Sequence, residues 1–308
     1  MTASDVRKDP ANEATTNRAR ALCALTLTSL IWGFTTVVVR TLAVAVPPAD
    51  VLVIRMSISG LIIAALLTLS RGWAVKAADL PRLAACGLLG ITGYNSLSTF
   101  GLQTTPASLG GLILGIEPLF IAVFAAILLR ERVGIATALG LLLAAVGTVF
   151  LVLSGGERAG APVTGLAVGG PVMVLAAAMV WSLSAVLSKP LLPVYGAARV
   201  TLLSSLIGLV PLLGLASPQT VESARAMTPW LWLLMLHMAV LGSIVSLQLW
   251  SYGLKHVPSA QAAAFIYAVP LISVLAGVWV LGEPLTLGLM MGGALTLAGV
   301  AIAQLGKR

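Results

Sequence analysis

Apolar runs, each about as long as a bilayer crossing, alternate with short polar turns along nearly the whole chain. A crossing helix needs about 20 predominantly apolar residues. Ten segments qualify: 21–42, 49–70, 82–101, 108–129, 134–153, 166–187, 196–217, 229–251, 259–281 and 285–305. Between them stand turn formers such as Pro47-Pro48, Gly155-Gly156 and Pro162. The pattern predicts an all-α integral membrane protein with ten transmembrane helices and no extramembrane catalytic domain.

The pattern also repeats. From about residue 106 onward the second half follows the first at an offset of 152: Pro106 with Pro258, Pro118 with Pro270, Glu131 with Glu283, Gly140 with Gly292 and Gly147 with Gly299. Nearer the start, Trp32-Gly33 faces Trp181-Ser182 at an offset of 149, so a three-residue length change is expected between the first and third spans of the halves. Five spans per half is an odd number, so the halves enter the membrane with opposite orientation. This predicts two inverted-topology five-helix repeats, the arrangement that exchanges inward- and outward-facing shapes about one central site. The expected organisation is a cytoplasmic tail over 1–20, repeats over 21–153 and 166–305, a linker over 154–165 and a cytoplasmic end over 306–308.

Composition agrees with a membrane solvent. The chain is 59% hydrophobic and 9% charged, where soluble domains carry about 25% charged residues. A net charge of +8 raises nucleic acid as a partner, but the distribution of the basic residues opposes it. Fourteen fall on one side of the predicted spans: Arg7, Lys8, Arg18, Arg20, Arg71, Lys76, Arg82, Arg130, Arg132, Lys189, Arg199, Lys255, Lys307 and Arg308. Arg158 and Arg225 fall on the other, while Arg40 and Arg55 lie within spans. An excess of Lys and Arg marks the cytoplasmic side, so both termini are expected there, with the bilayer and not nucleic acid as partner. Segment 21–42 follows a polar tail and leads into further spans, so it reads as a retained helix and not a cleaved signal.

Enzymatic chemistry finds no support. Cys23 and Cys86 fall in spans and make no disulfide framework or metal cluster; His237 and His256 are nineteen residues apart. Neither a phosphate-binding glycine loop nor a serine nucleophile elbow is present. No cofactor or metal is expected.

Glu117 is the leading functional candidate. It lies about nine residues, or roughly 13 Å, into the fourth span at 1.5 Å rise per residue, where an ionised carboxylate costs roughly 3 kcal/mol unless paired or hydrated. Pro118 follows it and frees a backbone carbonyl one turn back. The second half keeps Pro270 but has Val269 in place of the acid. Glu117 suits a proton-coupling carboxylate, the partner of a cationic substrate group, or a fixed ion pair with Arg55, which enters the second span to comparable depth. An unpaired Arg55 can instead snorkel or take a substrate carboxylate. Arg40 reads as a snorkelling residue.

Trp32, Tyr94, Trp181, Trp250 and Tyr267 fall within spans and could line an amphipathic cavity, with Asn95, Ser246, Gln248 and His237 as its polar groups. Each polar group serves equally well as a helix–helix hydrogen bond. Trp73, Trp230 and Trp232 read as interfacial anchors. Pro118 and Pro270 read as hinges, and Glu131 and Glu283, each ending a fourth span, as capping residues or partners of Arg130 and Arg132. Gly111-x-x-x-Gly115 and Gly288-x-x-x-Gly292 can pack helices within a monomer or between protomers of a homodimer.

These features resemble the drug/metabolite transporter superfamily, and within it the ten-helix family built from two EamA domains. The resemblance rests on Trp32-Gly33, Arg55, Pro106, the segment EPLFIAVFAAILLRERVG at 117–134, Gly147, its counterpart VPLISVLAGVWVLGEPL at 269–285, and Gly299. It implies a secondary transporter of a bacterial inner membrane, often an exporter of amino acids or other metabolites, with a cavity built by spans 1, 3, 4, 6, 8 and 9. The related four-helix multidrug exporters carry their essential glutamate in the first helix. Span 1 here has no acid, so Glu117 is a substitute and not a match. The expected function is a secondary active exporter of small amphipathic metabolites such as amino acids, by alternating access with proton coupling. The alternatives are an uncoupled facilitator or channel-like pore and a non-transporting scaffold, which has no need of a mid-membrane acid.

Overall fold

The computed structural model describes residues 10–70, 72–130, 134–154, 165–257 and 265–305. Glu131, Arg132, Pro258 and the linker residues 155–164 lie outside the described residues, as do Arg7, Lys8, Arg71, Arg158, Lys307 and Arg308. Helices and turns make up the described residues, with no strand among them. The first half holds α1 (Pro10–Ala45), α2 (Pro48–Leu69), α3 (Leu80–Gly87), α4 (Tyr94–Thr104), α5 (Ala107–Leu114), α6 (Glu117–Leu128) and α7 (Ile135–Ser154). The second holds α8 (Gly165–Ser188), α9 (Leu192–Tyr195), α10 (Ala197–Leu213), α11 (Pro218–Ala226), α12 (Pro229–Leu236), α13 (Ser246–His256), α14 (Ala268–Leu281) and α15 (Leu287–Leu305).

Among the described residues, five helical stretches are long and apolar enough to cross a membrane: Thr16–Ala45, Pro48–Leu69, Ala107–Leu128, Gly169–Tyr195 and Pro229–Trp250. The remaining apolar segments are shorter or interrupted. The segment predicted as one span over 196–217 stops at Leu213 and turns by 106° into α11. Pro211 inside the helix and Pro218 at the start of the next explain the stop, and a capping box of Ser217 and Thr220 fixes the new direction. Three further apolar helices cover 138–151, 268–281 and 287–302.

The third and eighth apolar segments each contain a π-helical stretch, Leu88–Gly93 and His237–Val245. These locate the three-residue length change. Leading into them, α3 and α12 are both eight residues long and start 149 apart. Beyond them, α4 and α13 are both eleven residues long and start 152 apart. The π stretches hold six and nine residues, so the extra residues sit inside the second wide coil and not in a loop.

Packing between the halves follows the same exchange. Helix α1 packs on α13 and α14, as α8 packs on α4 and α6. Matched helices also pack on each other, α2 on α10 and α7 on α15, and α5 packs on α14. The α7–α15 crossing needs glycine. A Cβ on Gly147 would lie 2.5 Å from the Thr296 amide nitrogen, and one on Gly299 would lie 2.4 Å from that of Ala144. Gly111 and Gly115 likewise meet Ser273 and Pro270 of α14, so that small-residue motif is occupied within the chain. Large apolar side chains left outside, including Leu61, Leu139, Leu142, Trp279 and Leu287, form the surface offered to lipid. Trp73 and Trp230 are exposed near helix ends, and Trp232 is half-buried.

Candidate functional site

Four interruptions of helical hydrogen bonding mark one region. Besides the two π stretches, the Ala107–Leu128 span breaks at Gly115-Ile116, and the equivalent turn falls at Tyr267, 152 residues later. Interrupted helices at corresponding positions of two halves free backbone groups where a transporter binds its solute. The two breaks meet: Pro270 packs against Gly115, and Tyr267 packs against the cluster holding Ile116 and Leu119.

Around them the aromatic residues pair in matched fashion. Trp32 donates its indole N–H to Ser246 Oγ at 2.9 Å, and its counterpart Trp181 lies against Tyr94, the counterpart of Ser246, with ring centroids 5.1 Å apart. Trp250 adds a second ring beside Trp32 at 5.7 Å. These rings are half-buried, as are Glu117 and Arg55. Tilted aromatic pairs of this kind give an apolar wall with polar edges.

Glu117 opens α6 directly after the break. Its backbone carbonyl is within hydrogen-bond distance of Ser182 Oγ, 3.0 Å away across the two halves, and the same hydroxyl reaches the carbonyl of Ala178 at 2.7 Å. On the other side Ser273, not a repeat counterpart of Ser182, joins the corresponding pair of elements: its hydroxyl lies 2.9 Å from the Gly33 carbonyl and 3.0 Å from that of Val269. Among the described residues the Glu117 carboxylate makes no hydrogen bond or ion pair. It is a half-buried acid without a partner among the described residues.

Arg55 is not its partner. Arg55 Nη1 donates to Asn95 Oδ1 at 2.7 Å and Nη2 donates to Ser243 Oγ at 3.2 Å, while Nε is buried without a partner. The ion pair that depth alone permitted does not form, because α2 turns Arg55 toward α4 and the second π stretch. Asn95, expected in the cavity, is buried and holds the guanidinium, with its own Nδ2 donating to the Ile91 carbonyl at 2.7 Å.

Other candidates separate from this group. Gln248 is exposed; two residues beyond Ser246, it projects about 200° further round the helix. Arg40, half-buried, donates to the carbonyls of Leu102 and Gln103, at the C-terminal end of α4. Glu283 accepts from the Ala107 and Ser108 amides at 2.6 and 2.8 Å and from Ser108 Oγ at 2.6 Å. It therefore caps α5 of the other half, and not a helix next to it in sequence. Glu131 lies outside the described residues. His237 begins the second π stretch, with its ring 6.0 Å from that of Phe34 and Nε2 buried without a partner.

Sequence reasoning passed over Asp50, Ser182 and Ser243. Asp50 is buried in the first turn of α2 and accepts from Thr220 Oγ1 and Ser223 Oγ, each at 2.6 Å; it anchors α11. An open groove of about 340 Å³ lies beside it, between Pro47 and the α11 residues Gln219 and Glu222, at helix ends away from the aromatic pairs. Ser182 was visible only as the counterpart of Gly33, and Ser243 lies within the unequal stretch where the repeat loses register. No group of three metal-ligating side chains occurs among the described residues.

Known proteins share this plan. The chain matches the EamA-like transporter family over residues 19–153 and again over 168–304. An uncharacterized transporter of Archaeoglobus fulgidus is 26% identical over 90% of this chain and 96% of its own length. A protein of Streptantibioticus cattleyicolor named "Probable terminal-alkyne amino-acid exporter" is 31% identical over 76% of this chain and 77% of its own. The uncharacterized inner membrane transporter YedA of Escherichia coli K12 is 25% identical over 90% of this chain and 88% of its own. A solved crystal structure with 25% sequence identity superposes with a TM-score of 0.58, covering 93% of this chain and 97% of that one. Duplicated match, helical plan and relatives agree: the chain belongs to the EamA-like transporter family and is a membrane transporter.

Proposed function

We propose that the protein is a secondary active exporter of small amphipathic metabolites such as amino acids, working by alternating access and coupled to protons through Glu117. The observation that carries this reading is the Glu117 carboxylate: half-buried, unpaired among the described residues, and placed at the break of a membrane-spanning helix. An acid at that depth is costly unless it is hydrated, protonated or met by a cation, and a transport cycle supplies each in turn. The aromatic pairs supply the apolar wall. The relative named as an amino-acid exporter supports both the direction and the solute class.

Ten spans in two inverted five-helix repeats, 21–153 and 166–305, fit the exchange-symmetric packing of the helices and the basic residues on one face. In this reading both termini face the cytoplasm of a bacterial cell with the protein in its inner membrane. Rocking of one repeat against the other turns on the breaks near Pro118 and Pro270.

The test is flux of a metabolite mixture in proteoliposomes, with and without an imposed pH gradient, for the wild type and Glu117→Gln. Gradient-driven accumulation of one solute, lost in the variant, supports the reading. Downhill flux indifferent to gradient and substitution supports a facilitator instead.

A further inference from the structure

We propose that Arg55 is the receptor for a carboxylate on the transported solute, and that occupancy there is transmitted to both π stretches at once. The inference rests on the transporter reading above and adds the substrate's chemical class: an acid, or a zwitterion if Glu117 takes its amino group.

Arg55 is a half-buried cation whose hydrogen bonds go only to neutral side chains, Asn95 and Ser243, and no carboxylate reaches it among the described residues. Two neutral acceptors offset only part of the cost of taking a guanidinium out of water. The group has five N–H donors. The bonds to Asn95 and Ser243 use two, and Nε is buried with none. Three donors remain, in the planar fork that suits a carboxylate. Arg55 and Glu117 do not neutralise each other, so each is open to an opposite charge brought by the solute. Tyr94, next to Asn95 in sequence, packs on Trp181, which precedes the Ser182 that reaches Glu117. An aromatic pair thus links the cation's surroundings to the acid's, suited to an apolar body with charged ends.

The partners of Arg55 explain how binding is felt. Asn95 Nδ2 donates to the Ile91 carbonyl at 2.7 Å, and Ser243 Oγ donates to the Met238 carbonyl at 2.9 Å. Ile91 and Met238 each lie within a π stretch, one from each half. Wide helical turns of this kind are local distortions common at functional sites. A carboxylate that draws the guanidinium toward itself competes with Asn95 and Ser243 together, loosening a junction that ties both stretches to α2.

The experiment is calorimetric binding to the protein in lipid nanodiscs, using L-phenylalanine, phenylalaninamide, 3-phenylpropanoate and phenethylamine, with metabolite-mixture flux measured in parallel. Wild type should bind phenylalanine and 3-phenylpropanoate, and phenylalaninamide at least tenfold more weakly than phenylalanine. Arg55→Gln should weaken both carboxylates at least tenfold and leave phenethylamine unchanged, and Arg55→Lys, which keeps the charge without the fork, should fall between. Equal binding of phenylalanine and its amide by the wild type overturns the inference, whether or not the variants fold. Uniform loss of every ligand in both variants overturns it too, marking Arg55 as a strut. Failure of the wild type to bind either carboxylate, with saturable flux of a solute lacking one, overturns the inference and leaves the transporter reading standing. Absence of any saturable flux overturns both.

Discussion

Ser182 and Glu117 are joined across the two halves, with the Ser182 hydroxyl 3.0 Å from the Glu117 backbone carbonyl. The contact fixes where α6 begins and leaves the acid's side chain unengaged. Ser182→Ala should lower stability by about 1 kcal/mol, the net worth of one buried hydrogen bond. Any proton dependence of transport should persist, because the carboxylate itself is untouched. Thermal unfolding in nanodiscs and gradient-driven flux check the two parts; lost gradient dependence in a folded variant would contradict the assignment.

The crossing of α7 and α15 makes a contrasting pair of glycine substitutions informative. A Cβ on Gly147 meets backbone of the opposing helix at 2.5 Å, whereas one on Gly169 meets nothing within 4 Å. Gly147→Ala should cost roughly 1–3 kcal/mol through overpacking. Gly169→Ala should be neutral or slightly stabilising, since alanine favours a helix. Unfolding midpoints of the two variants decide it, and equal midpoints would contradict the close crossing.

Glu283 caps a helix belonging to the other repeat. Removing it strips acceptors from the Ala107 and Ser108 amides and from the Ser108 hydroxyl. Glu283→Ala should destabilise the protein by about 2 kcal/mol, at the upper end for loss of a cap. Glu283→Gln keeps one good acceptor and should lose less. Faster amide exchange at 107–110 in the alanine variant would locate the effect.

Asp50 holds α11 through Thr220 and Ser223. Asp50→Ala leaves both hydroxyls without that acceptor, so α11 should loosen before the rest of the fold. Hydrogen exchange should rise at least tenfold over 218–226 while α2 and α10 stay protected. Uniform change along the chain would contradict a local anchor.

The repeat, the helices and the family were legible because they rest on spacing: matched Gly and Pro positions survive in the sequence whatever the side chains around them do. An expected depth was also readable, since rise per residue is constant, and it sets Glu117 and Arg55 at similar levels. Direction around the helix axis was not, and so Arg55 turned out to bond Asn95 and Ser243 instead of Glu117. The π stretches carry no propensity signal; they showed in sequence only as a slip in the repeat from 149 to 152, which fitted a loop equally well. The 106° turn after Leu213 was hidden because apolar residues continue through it.

Proton coupling, as proposed, resides in the acid at the helix break. The most direct measurement is uptake of a single identified solute into proteoliposomes, driven by an imposed pH gradient, for the wild type and Glu117→Gln at equal folded amounts. The account predicts concentrative uptake by the wild type, with the variant reduced at least a hundredfold in gradient-driven uptake but still able to bind solute. Concentrative uptake by Glu117→Gln at the wild-type rate would contradict it and return Glu117 to the architecture of the break.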